Sequence, residues 1–396
     1  MARAARTDAE AHYGWAGENL CGEIADSLEE NALSGGLEGC KTAREGDAAV
    51  PASCLGAPPL CSVADKAISL IKRAASYKAN LVVFPETYIS AFPIWSSLRP
   101  PTENHHLFQR MVQESVYADG DEMGAIREAA RASGVLVSLG FSEKSRHSNG
   151  CLYNSNLTIG SDGGVLVHHR KLVPTFFEKL TWSPGDGYGL RVASTQFGRI
   201  GTLICGENTN ALARYAMIAQ AEQVHISTWP AIWPTRPSPK IPPRAKSDDQ
   251  PTTPSIVHEA NYNNVAANRT RVAAHCFEAK CFGIACSSHL GQDAIETITD
   301  GAGQPDVVAN TLRTVPRAAT FFLDPTGAPL PAFTYEGSEK HYVEALQSEE
   351  GILYADMNLD DCIEGKQYHD VVGGYQRLDV FDLKVDRSRK DPVRFT

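Results

Sequence analysis

Three side chains in this sequence are suited to attack on an electrophilic carbon, and they share one local context. Glu86 follows the apolar run LVVF (81–84) in FPETY, Lys171 follows VLVHH (165–169) in HHRKLVP, and Cys205 ends RIGTLI in LICGENTN. A thiolate is a strong nucleophile toward such a carbon. A neighbouring Glu can take the thiol proton and later activate water. A Lys ammonium stabilises negative charge developing on the substrate heteroatom, helped by a backbone N–H at a strand-to-helix turn. Gly206, directly after Cys205, leaves that turn unhindered and offers such an N–H. Taken singly, each residue has an ordinary reading: a loop carboxylate, a solvated cation beside His168, His169 and Arg170, and a buried strand-end thiol. The weight comes from the three together. His168 and His169 are adjacent on one strand and point to opposite faces, which argues against a shared metal ion.

The elements that must position these residues can be read from hydrophobic periodicity. From Ser62 onward, Val63, Ala67, Leu70, Ile71, Ala74 and Ala75 recur at helical spacing, so a helix with one apolar face precedes the buried strand at 81–84. Helix is expected again over 122–132, 211–221 and 265–280. Strands are expected over 135–141, 200–204, 223–227, 282–287, 319–323 and 352–355. Residues 152–159 and 165–169 read as a hairpin joined by GSDGG. Helices and strands alternate but a hairpin interrupts them, which favours an α/β sandwich with mixed sheets. All three candidate residues fall just past the carboxyl end of a strand, the edge at which α/β sheets bind ligands.

Residues 1–47 are polar, show no sustained period and read as a poorly ordered or divergent N-terminal extension, with a short helix conceivable at 21–30. A chain starting near Gly46 is therefore expected to keep its activity per folded molecule. Residues 48–385 read as one catalytic domain and 386–396 as a C-terminal tail. The proline-rich stretch 234–256 reads as an exposed loop.

The net charge of −10 disfavours a nucleic-acid partner. No run approaches the roughly 20 apolar residues of a membrane span. Ten cysteines occur without a C-x-x-C pair, so no zinc ribbon or redox motif is indicated. They read as reduced, mostly buried thiols of a cytoplasmic protein.

FPET, HRKL-x-P and C-G-E-N, in this order, resemble the signature blocks of the nitrilase superfamily. Further segments, among them YNNVAANRTRVAAHCFEAKCFGI and FFLDPTGAPL, extend the resemblance over about residues 62–385. It implies a four-layer αββα sandwich with Glu86 as base, Lys171 as the cation that stabilises the intermediate and Cys205 as nucleophile. Glu178, seven residues after Lys171, matches a second family glutamate that helps position the others. The implied substrate is a small-molecule nitrile, attacked without metal or cofactor and converted to carboxylic acid and ammonia. The length and CGENTN look more like the nitrilase branch than like the amidase branches. A nitrile or cyanide hydratase, an amidase and an inactive scaffold are the rival readings. A homo-oligomer, dimer or spiral, is implied as well. Gly206 stands where many members carry Trp, and Trp229 and Trp233 are candidates for the pocket wall. Members begin with a strand reading roughly V-A-A-V-Q. Here only AAV (48–50) matches, followed by Pro51, which lacks a donor for the sheet ladder.

Overall fold

The structure is a computed structural model that describes residues 11–16, 60–233 and 263–393. Five strands come first along one sheet: β1 (Ala11–Ala16), β2 (Ala79–Val83), β3 (Leu136–Lys144), β4 (Leu152–Ile159) and β5 (Val165–Arg170). A second sheet collects β6 (Ala193–Thr195), β7 (Gly198–Ile204), β8 (Val224–Trp229), β9 (Phe282–Ser287) and β10 (Phe321–Leu323). The chain then returns to the first sheet with β11 (Ala332–Glu336), β12 (Glu339–Val343) and β13 (Ile352–Met357). The strand order is β12-β11-β13-β1-β2-β3-β4-β5 in the first sheet and β10-β9-β8-β7-β6 in the second.

Burial divides the molecule into four layers. Leu81, Val83 and Leu136 of the first sheet pack against Ile200, Ile226, Phe282 and Ile284 of the second, which is the core between the sheets. Because side chains alternate along a strand, Val82 and Val137 face the other way. They meet Ala67 and Ile71 of the helix Leu60–Ser76, and Met123 and Ile126 of the helix Asp121–Ser133. On the far side of the second sheet, Leu203 packs on Ala213 and Met217 of the helix Ala211–Ile218. Ile204 and Ala285 pack there on Val272 and Cys276 of the helix Asn264–Ala279. This is the αββα sandwich with mixed sheets that the sequence implied. None of the described helices is long and apolar enough to cross a membrane.

One element departs from expectation. The central position between β13 and β2 is filled by Ala11–Ala16, inside the segment read as a poorly ordered extension. It pairs antiparallel with β13 (Tyr13 opposite Ala355) and parallel with β2 (Tyr13 opposite Leu81). AHYGWA has no regular alternation, and a strand bonded on both sides needs none in order to satisfy its backbone. The alternative first strand at 48–50, the helix at 21–30 and the proline-rich stretch at 234–256 lie outside the described residues.

Candidate active site

Three strand ends build the site. β2, β3 and β5 run in the same direction, since β3 pairs parallel with β2 and antiparallel β4 lies between β3 and β5. The carboxyl ends of β2 and β5 therefore open on one edge, carrying Glu86 and Lys171. Cys205 follows β7 in the facing sheet. The loop bearing Glu86 lies directly on β3, where Gly140 has no side chain; a Cβ there would stand 2.2 Å from the Pro85 carbonyl oxygen. Left-handed backbone occurs at Thr87 (φ 46°), Phe176 (φ 49°) and Cys205 (φ 50°). This conformation is unfavourable for residues with a Cβ, by about 1–2 kcal/mol. Its recurrence at all three turns marks backbone bent to aim side chains.

Those side chains converge. Lys171 Nζ donates to Glu86 Oε1 at 2.8 Å and to Glu178 Oε2 at 2.7 Å. Carboxylate oxygens of Glu86 and Glu178 and Cys205 Sγ lie within 4.8 Å of one another. All four residues are at most 5% exposed. The Lys171 ammonium sits between the two carboxylates and supplies the positive charge there. Burial pulls its pKa down, but the neighbouring Cys205, Glu178 and Glu86 outweigh that and hold it well above the usual lysine value. Burial, with the Glu86 charge, pushes the Cys205 thiol well above its usual value, Lys171 opposing only in part. The resting nucleophile is thus a thiol, and a base must take its proton during attack. Burial also raises Glu178 to about 7, although Lys171 lowers it. Oε2 of Glu86 and Oε1 of Glu178 are buried without a hydrogen-bond partner.

Reasoning from sequence missed three supporting residues. Asn154, near the start of β4 and on the same edge, donates to Glu86 Oε1 at 2.7 Å. Nothing in its local sequence marked it. Glu207 accepts from Leu172 N (2.6 Å) and Ile204 N (2.7 Å), so one carboxylate ties the Lys171 loop to the Cys205 strand across the two sheets. His169 Nε2 lies 2.9 Å from the same group, while His168 Nε2 lies 2.8 Å from Glu143. The adjacent histidines do serve opposite faces. Asn208 is the third, and like Glu207 it was visible only as a letter of C-G-E-N.

A cavity of about 280 Å³ opens on Cys205 and is lined by Gly206, Trp229, Trp233, Asn264 and Arg271 among others. Both tryptophans named from the sequence reach it. Trp233 also stacks on Phe177 at 4.4 Å between ring centroids, so packing and lining coincide there. Gly206 is not in open space: a Cβ at this position would lie 2.7 Å from Thr175 Oγ1.

The sequence profile of the carbon-nitrogen hydrolase family matches residues 58–367. A nitrilase from Penicillium rubens is 31% identical over 337 residues, 84% of this chain and 90% of that protein. An arylacetonitrilase from Hypocrea virens is 31% identical over 335 residues, 83% of this chain and 88% of its own. Among solved structures, a carbon-nitrogen hydrolase from Helicobacter pylori G27 matches with a TM-score of 0.57 at 15% identity. That match covers 94% of this chain and 97% of the other, a likeness of fold. With its strand-end Glu, Lys and Cys gathered in one buried site, the chain belongs to the carbon-nitrogen hydrolase family.

Proposed function

We propose that the protein is a nitrilase, which converts a small organic nitrile to its carboxylic acid and ammonia with Cys205 as nucleophile. The observation that carries this reading is a buried thiol within 4.8 Å of a carboxylate oxygen of Glu86, beside a lysine kept protonated. Glu86 takes the thiol proton as Sγ adds to the nitrile carbon and passes it to the nitrogen, which gives a thioimidate and restores the carboxylate. Lys171 and the Gly206 N–H stabilise charge developing on that nitrogen. Glu86 then deprotonates water, which adds to the same carbon. Ammonia leaves the tetrahedral intermediate, a thioester remains, and a second water releases the acid and restores the thiol. Glu178 keeps Lys171 in place, and Trp229 and Trp233 wall the substrate.

The tetrahedral intermediate can expel ammonia or the Cys205 thiolate. Ammonia departs readily only when its nitrogen is protonated, and Glu86, having just taken a proton from water, supplies one. We expect mainly acid, with amide as a minor product whose share varies with the nitrile. A difference of about 1.4 kcal/mol between the exits changes the ratio tenfold. The experiment measures ammonia, acid and amide at early times over a panel of nitriles and amides. Amide dominating for every good substrate assigns the protein as a hydratase instead.

Glu178 gives the reaction a pH dependence. Its carboxyl, raised to about 7 by burial, gains a proton as the pH falls through that value. Lys171 then loses one of the two carboxylates that hold its ammonium in place and is less well positioned to stabilise the intermediate. Turnover should therefore fall on the acid side with an apparent midpoint near 7, read as kcat against pH. A flat profile between about pH 5 and 8 removes this role from Glu178.

The same reading carries a homo-oligomer, for which the exposed Leu212, Tyr375, Leu378 and Phe381 offer an apolar face. It also carries a cytoplasmic location, in keeping with the free thiols of Cys151, Cys205, Cys276, Cys281, Cys286 and Cys362.

A further inference from the structure

The left-handed turn at Cys205 is tied to a buried charged group that takes no part in the reaction above. Asn208 Nδ2 donates to the carbonyl oxygens of Leu203 (3.2 Å) and Cys205 (3.0 Å). Two carbonyl acceptors fix the orientation of this amide, so Oδ1 is the atom that faces His225 Nε2 at 2.8 Å. His225 Nε2 must then donate. Its other nitrogen, Nδ1, lies 2.9 Å from Glu222 Oε1, and Glu222 Oε2 lies 2.7 Å from His275 Nε2. The two imidazoles stack with 3.6 Å between centroids. Asn208, Glu222, His225 and His275 are all buried. β7 makes room for the carboxylate at Gly201, where a Cβ would stand 2.0 Å from Glu222 Oε1.

The charges in this cluster follow from the partners. Burial raises the Glu222 pKa, but His225 and His275 outweigh it and hold the carboxylate well below its usual range. His225 lies between that carboxylate on Nδ1 and the Asn208 amide oxygen on Nε2. His275 is held down to about 4 by burial and by the neighbouring His225, and is neutral. A buried charged and polar cluster of this kind is a poor source of stability compared with an apolar replacement. What it provides is a single orientation: a rigid donor at His225 Nε2, and through it a fixed Asn208.

We propose that Asn208, His225 and Glu222 are positioning residues that hold the Cys205 backbone in the conformation aiming Sγ at Glu86 and Lys171. The proposal rests on Cys205 being the nucleophile. In Asn208→Asp the shape and the acceptor for His225 remain, while both donors to the turn become acceptors that repel the carbonyls. In His225→Phe the donor to Asn208 is lost, whereas His225→Gln keeps an N–H close to the place of Nε2.

The test measures kcat, KM and the rate at which iodoacetamide alkylates Cys205, identified by mass spectrometry of its peptide, in the full-length folded protein. Asn208→Asp and His225→Phe should lower kcat by about 30-fold or more with KM changed less than about threefold. Alkylation should slow about tenfold in parallel. His225→Gln should recover most of both. If Asn208→Asp is not recovered folded, Asn208→Ser, which can donate to one carbonyl only, decides by the same readouts with about a tenfold loss expected. Folded Asn208 or His225→Phe variants with wild-type kcat and alkylation would overturn the proposal, leaving the cluster a purely structural one. Alkylation needs no nitrile, so an error in the substrate class leaves this readout intact. Nitrile hydrolysis retained by folded Cys205→Ala would instead remove Cys205 as nucleophile.

Discussion

Cys205→Ala should abolish nitrile turnover while the protein remains folded. The reaction needs a covalent bond to carbon, and Cys205 Sγ is the thiol grouped with the Glu86 and Glu178 carboxylates. The fold should survive because the resting thiol is neutral: burial and Glu86 keep it protonated. Removing it takes no counter-charge from Lys171, whose hydrogen-bonded partners are Glu86 and Glu178. Replacing the buried Cys276, Cys281 or Cys286 by Ala should cost about 1–3 kcal/mol of stability each and leave turnover per folded molecule in place. Ammonia release and thermal melting of the four variants check this. Appreciable hydrolysis by Cys205→Ala would discard the mechanism.

Removal of residues 1–16 should leave a chain that no longer folds cooperatively. β1 is the strand through which β13 and β2 belong to one sheet. Without it, β12, β11 and β13 separate from β2 to β5, and two rows of backbone N–H and C=O groups that now pair with Ala11–Ala16 lose their partners. Unpaired groups of this kind, if buried, cost about 1–3 kcal/mol each. Several of them exceed the roughly 5–15 kcal/mol by which a domain is stable. This reverses the expectation drawn from composition, in which a chain starting near Gly46 kept its activity. Circular dichroism, urea unfolding and turnover of the shortened chain decide between the two. A cooperative transition with unchanged activity per folded molecule would show that another segment can fill the central position.

What could be read in advance follows a physical pattern. β9 was legible to its ends because Phe282–Ser287 is a short apolar run buried on both faces. The buried cores of β2 and β7 were legible for the same reason, although both strands begin two residues before the expected 81 and 200, and a Glu, a Lys and a Cys at three strand ends already pointed to one cleft. The β4–β5 hairpin was legible because GSDGG is a turn by chemistry alone. Pairing was not legible, because it is a non-local property. AHYGWA carries no sign that it will lie between β13 and β2, some 340 and 65 residues further on. The helix His105–Glu114 buries only Leu107 and Met111, too few apolar positions to stand out from loop. Asn154 and Glu207 act through contacts with residues 68 and 35 positions away, and such contacts exist only once the sheets have formed.

Glu86 and Lys171 belong to one sheet and Cys205 to the other, and Glu207 spans the gap. A chain in which both sheets have formed but have not yet docked contains every reactive side chain and no active site. Regain of activity during refolding therefore reports that the interface between the sheets has closed, since strand pairing within either sheet alone cannot restore it. Mutations in that interface far from Cys205, at Leu81 or Ile284 for instance, bear on catalysis through the register in which the two halves of the catalytic apparatus meet.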